Sequence, residues 1–304
     1  FKKFNWNCKF VDFDDIEAVG NAAKDPSVKA IFGESLANPG GVISDIESLS
    51  YITQTAGIPL IIDNTMATPF LCQPIQHGAD IIVHSTTKFL SGHGNAMGGA
   101  IVDSGTFNWA QNDKFPSLAQ PEEAYHGLNF YESFGDLAYT TYGHAVGLRD
   151  LGPTMAPMNA YLTIMGIETL ALRMEKHVAN AKIIANFLNE HNEVAWVSYA
   201  GLKDSKYYNL AKKYLPKGAG SVFTFGIKGG YDAGVKFVEK CQLLSHLANI
   251  GDTRSLVLHP ASTTHRQLTE TQRISAGAGD DVIRLSIGLE TPDDIIADIE
   301  QALA

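Results

Sequence analysis

The sequence from residue 58 to residue 88 reads IPLIIDNTMATPFLCQPIQHGADIIVHSTTK. It contains two short apolar runs, 58–63 and 79–84, and each has the length of a buried strand. Continuous apolar strands are typical of a parallel sheet that helices cover on both faces. Polar residues follow each run, so functional groups are expected to collect at the carboxyl ends of these strands.

The same organisation extends to either side of this stretch. Apolar runs at 28–32 and 99–102 predict two more strands of the sheet. Between the first two strands, the apolar residues of 46–56 recur at helical spacing. Ser44, followed three residues later by Glu47, predicts a capping box at the start of that helix.

The second half of the chain has a different pattern. Residues 105–157 are rich in Gly, Pro, Tyr and Phe, which predicts loops and short helices. A long helix with an apolar face at 178–188 follows, and the last third mixes strands with helices. The sequence therefore predicts an α/β protein. A large domain with a mostly parallel sheet spans 1–155, and a smaller α+β domain spans 156–304.

Composition and charge exclude several classes of function. Of the 304 residues, 45% are hydrophobic and 18% charged, which is typical of a globular protein. The net charge of −10 argues against nucleic acid or an anionic membrane as a partner. No apolar run reaches the ~20 residues that a membrane span needs, and the first residues lack the pattern of a signal peptide. The cytoplasm is the expected location.

Neither the cysteines nor the histidines predict a metal site. The three cysteines, Cys8, Cys72 and Cys241, are far apart and form no CxxC pair, so a disulfide framework or a zinc site is not expected. His84 and His93 also lack the spacing of metal ligands.

Lys88 is the candidate nucleophile. It follows a predicted buried strand, where partial desolvation would lower the pKa of its amine and leave the neutral form available. Ser85 and Thr87 offer hydroxyls to a phosphate, and Asp63, at the end of the preceding strand, could pair with a protonated ring nitrogen. An amine, a carboxylate and hydroxyls are the groups that pyridoxal phosphate (PLP) requires.

Each part of this set also has an ordinary structural explanation. A lysine after a strand is commonly a surface charge, and Ser/Thr clusters commonly form turns or helix caps. The nearby glycines do not form a nucleotide-binding pattern. Arg284 lies in the alternating run 282–288, on the same predicted face as Ser286. It could bind a carboxylate with two parallel hydrogen bonds, or be an exposed arginine on an edge strand.

Several motifs, in the same order along the chain, resemble those of the Cys/Met-metabolism PLP-dependent enzymes. They are DNTMATP at 63–69, HSTTK at 84–88, YHGL at 125–128, HPASTTH at 259–265 and RLSIGLE at 284–290. The resemblance runs essentially from end to end. It implies the aspartate-aminotransferase-type fold (fold type I), with PLP as the cofactor.

The resemblance also implies roles for the cofactor-binding residues. Lys88 would form the Schiff base with PLP and act as the catalytic residue. Asp63 would hold the pyridine nitrogen protonated, while Ser85 and Thr87 would bind the phosphate. Asn38 would lie near the ring oxygen of the cofactor.

The resemblance is strongest to the O-acetylhomoserine sulfhydrylase branch of the family. It implies γ-replacement, in which O-acetylhomoserine and sulfide give homocysteine and acetate, a step of methionine biosynthesis. Arg284 would bind the substrate carboxylate, and Asn249 is a further candidate for that pocket. The implied partners are these small molecules and further copies of the chain, in a homotetramer built from dimers.

Alternative functions stay open on the sequence. A methionine γ-lyase, a cystathionine synthase or lyase, or an O-succinylhomoserine sulfhydrylase belongs to the same family. Family members carry a further segment before the position of Phe1, so the large domain is expected to be incomplete at its N-terminus. The chain could then be a non-catalytic assembly partner. A PLP-free Schiff-base aldolase would leave Asp63 and the hydroxyls without a clear purpose.

Overall fold

The computed structural model describes residues 2–39 and 41–304. In chain order its elements are α1 (Ile16–Ala23), β1 (Ile31–Glu34), α2 (Ile46–Ala56), β2 (Leu60–Asp63), α3 (Thr68–Leu71), β3 (Ile81–Ser85), β4 (Gly99–Asp103), α4 (Pro116–Ala119), α5 (Phe130–Phe134), α6 (Ala138–Tyr142), α7 (Pro157–Glu168), α8 (Leu170–Glu190), β5 (Val194–Ser198), α9 (Tyr208–Tyr214), β6 (Val222–Ile227), α10 (Gly230–Lys240), β7 (Ser245–His246), β8 (Leu256–Leu258), α11 (Glu270–Ser275), β9 (Val282–Ser286) and α12 (Pro292–Leu303). Within those described ranges, no helix is long and apolar enough to cross a membrane.

The first sheet is mostly parallel, as predicted. Its order is β1-β2-β3-β4. β1 pairs with β2 and β2 with β3 in parallel, so their carboxyl ends meet at one edge. β4 runs antiparallel to β3, with Ser85 opposite Gly99. The sequence pattern did not indicate this reversal. The chain between β3 and β4 returns across the carboxyl edge without a crossover helix.

Short helices follow the first sheet, as the loosened sequence pattern predicted. α4, α5 and α6 lie between residues 116 and 142, and they contribute to a small apolar cluster that also contains Phe107 and Trp109. Phe130 is its most buried aromatic residue, and Trp109 stacks on Tyr139 with ring centroids 5.2 Å apart. The cluster includes Ile81 of β3, so this segment packs against the first sheet.

The second sheet has the order β5-β6-β9-β8-β7. β9 pairs with β6 on one side and β8 on the other, both antiparallel. Arg284 therefore lies on a central strand, and the alternative of an exposed arginine on an edge strand is wrong.

One apolar core joins the two sheets. It includes Ile62 of β2, Ile184 of α8 and Phe225 of β6, all less than 1% exposed. The domain boundary between residues 155 and 156 stays a prediction.

The predicted capping box at the start of α2 is wrong. Asp45 occupies the N-cap position. The Ser44 hydroxyl donates instead to the carbonyl oxygen of Glu34, at 2.7 Å. The Glu47 carboxylate pairs with Lys213 of α9, at 2.7 Å. Partners from distant segments have replaced the local capping contacts.

Tyr214 links α9 to the first turn of α2. Its hydroxyl donates to the Asp45 carboxylate and accepts from the Glu47 backbone N–H, at 3.1 Å. The ring is 1% exposed and contacts His77 edge to face. This hydroxyl therefore connects two segments that are far apart in the sequence.

We predict that Tyr214→Phe lowers the free energy of unfolding by about 1–3 kcal/mol, because it removes both hydrogen bonds and keeps the ring. The measurement is urea unfolding followed by far-UV circular dichroism. Tyr231→Phe is the control, since its ring is 40% exposed and its hydroxyl has no partner among the described residues. Equal stabilities of the Tyr214 variant and the unchanged chain would contradict the prediction.

Candidate active site

Lys88 lies in a helical turn directly after β3. The turn spans Thr86–Leu90 and is interrupted at Lys88, whose φ of −90° and ψ of −127° are not helical. The Lys88 side chain is partly buried, and its Nζ donates to Oδ1 of Asn249, at 2.5 Å. The predicted nucleophile therefore points at a polar partner more than 150 residues away in the sequence.

The surroundings of Lys88 favour its neutral amine. Burial lowers the pKa of Lys88 from its ordinary value, and the positive charge of Arg284 lowers it further. Both effects disfavour the charged ammonium form. A neutral amine has a free electron pair, so it can attack a carbonyl carbon or accept a proton.

Arg284 lies between Asn38 and Asn249. Its guanidinium donates to the backbone oxygen of Asn249 at 3.1 Å and to Oδ1 of Asn38 at 3.4 Å. No carboxylate among residues 2–39 and 41–304 forms an ion pair with it. A partly buried cation without an anionic partner has the chemistry of a binding site for a carboxylate.

Asp63 lies at the same edge of the sheet, at the end of β2. Its Oδ1 accepts from the Thr65 N–H, at 2.8 Å. The Thr65 hydroxyl in turn accepts from the Ser85 N–H, at 2.8 Å. This chain of hydrogen bonds fixes the Asp63 carboxylate relative to the end of β3, where the Lys88 turn begins.

The two hydroxyls predicted to bind phosphate have different environments. The Ser85 side-chain hydroxyl has no hydrogen-bond partner in the part of the chain that the structure describes. The Thr87 hydroxyl donates to the Gly98 carbonyl oxygen at 3.3 Å and accepts from the Gly98 N–H at 3.1 Å. The Thr87 hydroxyl would have to break its hydrogen bond to the Gly98 carbonyl oxygen before it could donate to a phosphate. Its predicted role stays a prediction.

The sequence interpretation missed several residues around this site. Glu34 ends β1 beside Asp63, and its carboxylate accepts from the Asn38 N–H, at 3.0 Å. Burial raises the pKa of Glu34, and the Asp63 charge raises it further. The available signal was an acidic residue near the end of an apolar run, since Glu34 lies two residues after the run 28–32. The hydroxyl of Thr86 is buried and has no partner among the described residues.

These groups fit pyridoxal phosphate. A lysine whose amine favours the neutral form suits the aldehyde, an oriented carboxylate suits the ring nitrogen, and a hydroxyl without a protein partner suits the phosphate. Gly94 is positioned so that a Cβ would come within 2.7 Å of the Asp252 carboxylate, so a side chain there would crowd the Asn249 loop. Together with the mostly parallel sheet, the site defines a PLP enzyme of fold type I.

Comparison with known proteins gives the family. The family model for Cys/Met metabolism PLP-dependent enzymes matches residues 1–304, and the chain belongs to this family. Its cofactor is accordingly pyridoxal phosphate. An O-acetyl-L-homoserine sulfhydrylase of Leptospira meyeri is 47% identical, over 100% of this chain and 70% of its own length. A homocysteine synthase of Schizosaccharomyces pombe is 48% identical, over 97% of this chain and 69% of its own length.

A solved structure agrees in fold. The crystal structure of a putative O-acetylhomoserine (thiol)-lyase from Campylobacter jejuni is 44% identical and superposes with a TM-score of 0.95. It covers 99% of this chain, and the match spans 72% of that protein. That structure carries a pyridoxyl-lysine 5′-monophosphate. The predicted fold class and cofactor are confirmed.

We predict that Arg284→Gln raises the pKa of Lys88 in the cofactor-free chain. Removing the nearby positive charge favours the ammonium form, so the amine would lose its proton at higher pH. The measurement is the pH dependence of Lys88 acetylation, quantified by mass spectrometry. Arg266→Gln, at an exposed position, is the control. An unchanged or lower pKa in the Arg284 variant would contradict the electrostatic account.

Proposed function

We propose that the protein catalyses γ-replacement, converting O-acetylhomoserine and sulfide to homocysteine and acetate. The observation that carries the proposal is the position of the Lys88 amine beside Asn249 and near Arg284, a cation without an ion pair to any carboxylate of the described residues. This arrangement places an amine near a cation that can bind an anion, as the handling of an amino acid requires. The names of the Leptospira and Schizosaccharomyces relatives, an O-acetyl-L-homoserine sulfhydrylase and a homocysteine synthase, support the choice of substrate.

In this proposal, Arg284 binds the α-carboxylate of the substrate and so fixes the orientation of its α-carbon. Lys88, displaced from the cofactor by the substrate amine, accepts the proton from the α-carbon and carries protons to and from the β-carbon. Asn249 holds the lysine amine in place through its side-chain oxygen. Asp63 keeps a proton on the ring nitrogen. When bound, PLP supplies the electron sink that makes the α-proton removable.

We also propose that the protein works in the cytoplasm as a homotetramer built from dimers. The three cysteines are free thiols in the structure, which suits a reducing compartment. α7 leaves large apolar side chains on the surface, among them Met158, Tyr161 and Ile164, each at least 58% exposed. An exposed apolar patch of this kind is typical of a protein interface.

The first test is the visible absorbance of the chain after addition of PLP. We expect the unchanged chain to develop a band that Lys88→Ala lacks, because Lys88 lies at the carboxyl edge of the first sheet and its surroundings favour the neutral amine. Lys236→Ala removes an exposed lysine on α10 and is the matched control. A band in the Lys88 variant equal to that of the control would refute the assignment of Lys88.

The second test compares ester substrates in the PLP-loaded protein. With O-acetylhomoserine and sulfide, we expect stoichiometric homocysteine and acetate from the unchanged chain. The Lys88→Ala variant should be slower by about 10³-fold or more, because proton transfer and covalent catalysis are both lost.

Other outcomes of this assay would assign other functions. Turnover of methionine without sulfide would indicate a γ-lyase, and a preference for O-succinylhomoserine would indicate the succinyl branch. A chain that binds PLP but converts none of these substrates would indicate a non-catalytic assembly partner.

A further inference from the structure

Arg173 of α8 lies directly behind the Lys88 turn. Its Nη1 donates to the carbonyl oxygen of Phe89 at 2.8 Å, and its Nη2 donates to that of Leu90 at 3.4 Å. Nη2 also donates to the carbonyl oxygen of Gly166 in α7, at 2.7 Å. The two residues after Lys88 are thus held by one guanidinium, which also contacts the preceding helix.

Arg173 carries a buried charge without an anionic partner in the described chain. The residue is 6% exposed and forms no ion pair with a carboxylate of residues 2–39 or 41–304. Burying a cation in this way is costly unless its donors are satisfied. The acceptors are carbonyl oxygens and the hydroxyl of Thr169, which accepts from Nε at 3.2 Å. The cation also lies at the carbonyl end of the helical turn, where positive charge is favourable.

Two glycines allow the close approach between Arg173, α7 and the Lys88 turn. A Cβ on Gly92 would lie 2.3 Å from Nη1 of Arg173. A Cβ on Gly166 would lie 2.4 Å from the Leu90 carbonyl oxygen. On the other side of the turn, the Thr253 N–H donates to the Gly92 carbonyl oxygen at 2.9 Å, and Thr253 belongs to the loop that carries Asn249.

We infer that Arg173 is a positioning residue for Lys88: it fixes the backbone of the turn so that Nζ meets Asn249 and faces the reacting carbon. The inference rests on the proposed function, because it assigns Lys88 its role. Arg173 does not contact the substrate. It acts through the carbonyl oxygens of Phe89 and Leu90.

Arg173→Lys keeps the positive charge. Its single amine cannot donate at once to the Thr169 hydroxyl and to the carbonyl oxygens that the guanidinium contacts. In the PLP-loaded protein we expect kcat to fall about tenfold or more, with KM changed less than about threefold, because a small displacement of a catalytic group costs rate. In the cofactor-free chain, acetylation of Lys88 should show a pKa nearer that of an ordinary lysine, because a loosened turn exposes the amine. Arg284 is present in both the unchanged chain and the Arg173→Lys variant, so its charge does not cause the difference between their Lys88 pKa values.

Asn180→Ala is the matched control on the same buried face of α8. Asn180 is also fully buried and donates to two carbonyl oxygens, of Gly288 at 3.0 Å and Glu290 at 2.8 Å, but none belongs to the Lys88 turn. This variant should lose stability and keep both the kcat and the Lys88 pKa of the unchanged chain. A purely structural role for Arg173 would give the same pattern as Asn180→Ala.

Thr169→Val serves if Arg173→Lys does not fold. It removes the acceptor of Arg173 Nε, together with the hydrogen bond that the Thr169 hydroxyl donates to the Gly166 carbonyl oxygen at 3.3 Å. The variant is expected to change kcat and the Lys88 pKa in the same direction by a smaller factor. If the variant that folds, Arg173→Lys or Thr169→Val, has the same kcat and the same Lys88 pKa as the unchanged chain, the inference is overturned. Failure of the unchanged PLP-loaded protein to turn over ester would refute the proposed function instead, and the acetylation measurement would still decide the role of Arg173.

Discussion

The desolvation of one lysine amine is the constraint on which the site depends. Lys88 is held after a buried strand, with the Arg284 cation nearby and the Asn249 side chain as its acceptor. A solvated lysine at the surface would be protonated at neutral pH and could neither attack an aldehyde nor accept a proton from carbon. The surrounding structure keeps this amine partly out of water and in one place.

The two sheets contribute to this site in different ways. The first sheet brings Asp63 and the Lys88 turn together, because neighbouring parallel strands end at one edge. The second sheet supplies Arg284 from the centre of its β-ladder, where strands on both sides fix its position. The continuous core between the sheets then fixes the distance between the cofactor groups and the anion site.

Much of this arrangement could be predicted from the sequence. The apolar runs predicted the strands of the first sheet to within three residues at either end, because strands of a mostly parallel sheet are rich in apolar side chains. Asp63 and Lys88 were identified because each follows one of these strands, and because an amine, a carboxylate and hydroxyls together are the groups that PLP requires. The ordered motifs then gave the family, which the comparisons confirm.

Other features depend on contacts that sequence spacing does not encode. The reversed direction of β4 depends on how residues 86–98 cross the sheet edge, and the failed capping box at Ser44 reflects competition from the Glu34 carbonyl oxygen. In the sequence, Arg173 looks like an ordinary polar residue of the long helix α8. Only the folded chain brings it to the carbonyl oxygens behind Lys88.

The most direct measurement is the location of the covalent cofactor adduct. The chain is loaded with PLP, reduced with borohydride and digested, and the pyridoxyl-modified peptides are quantified by mass spectrometry. The account predicts one modified peptide, with the adduct on Lys88 at close to one equivalent per chain. An adduct mainly on another lysine, or spread over several, would contradict the claim that the fold selects Lys88.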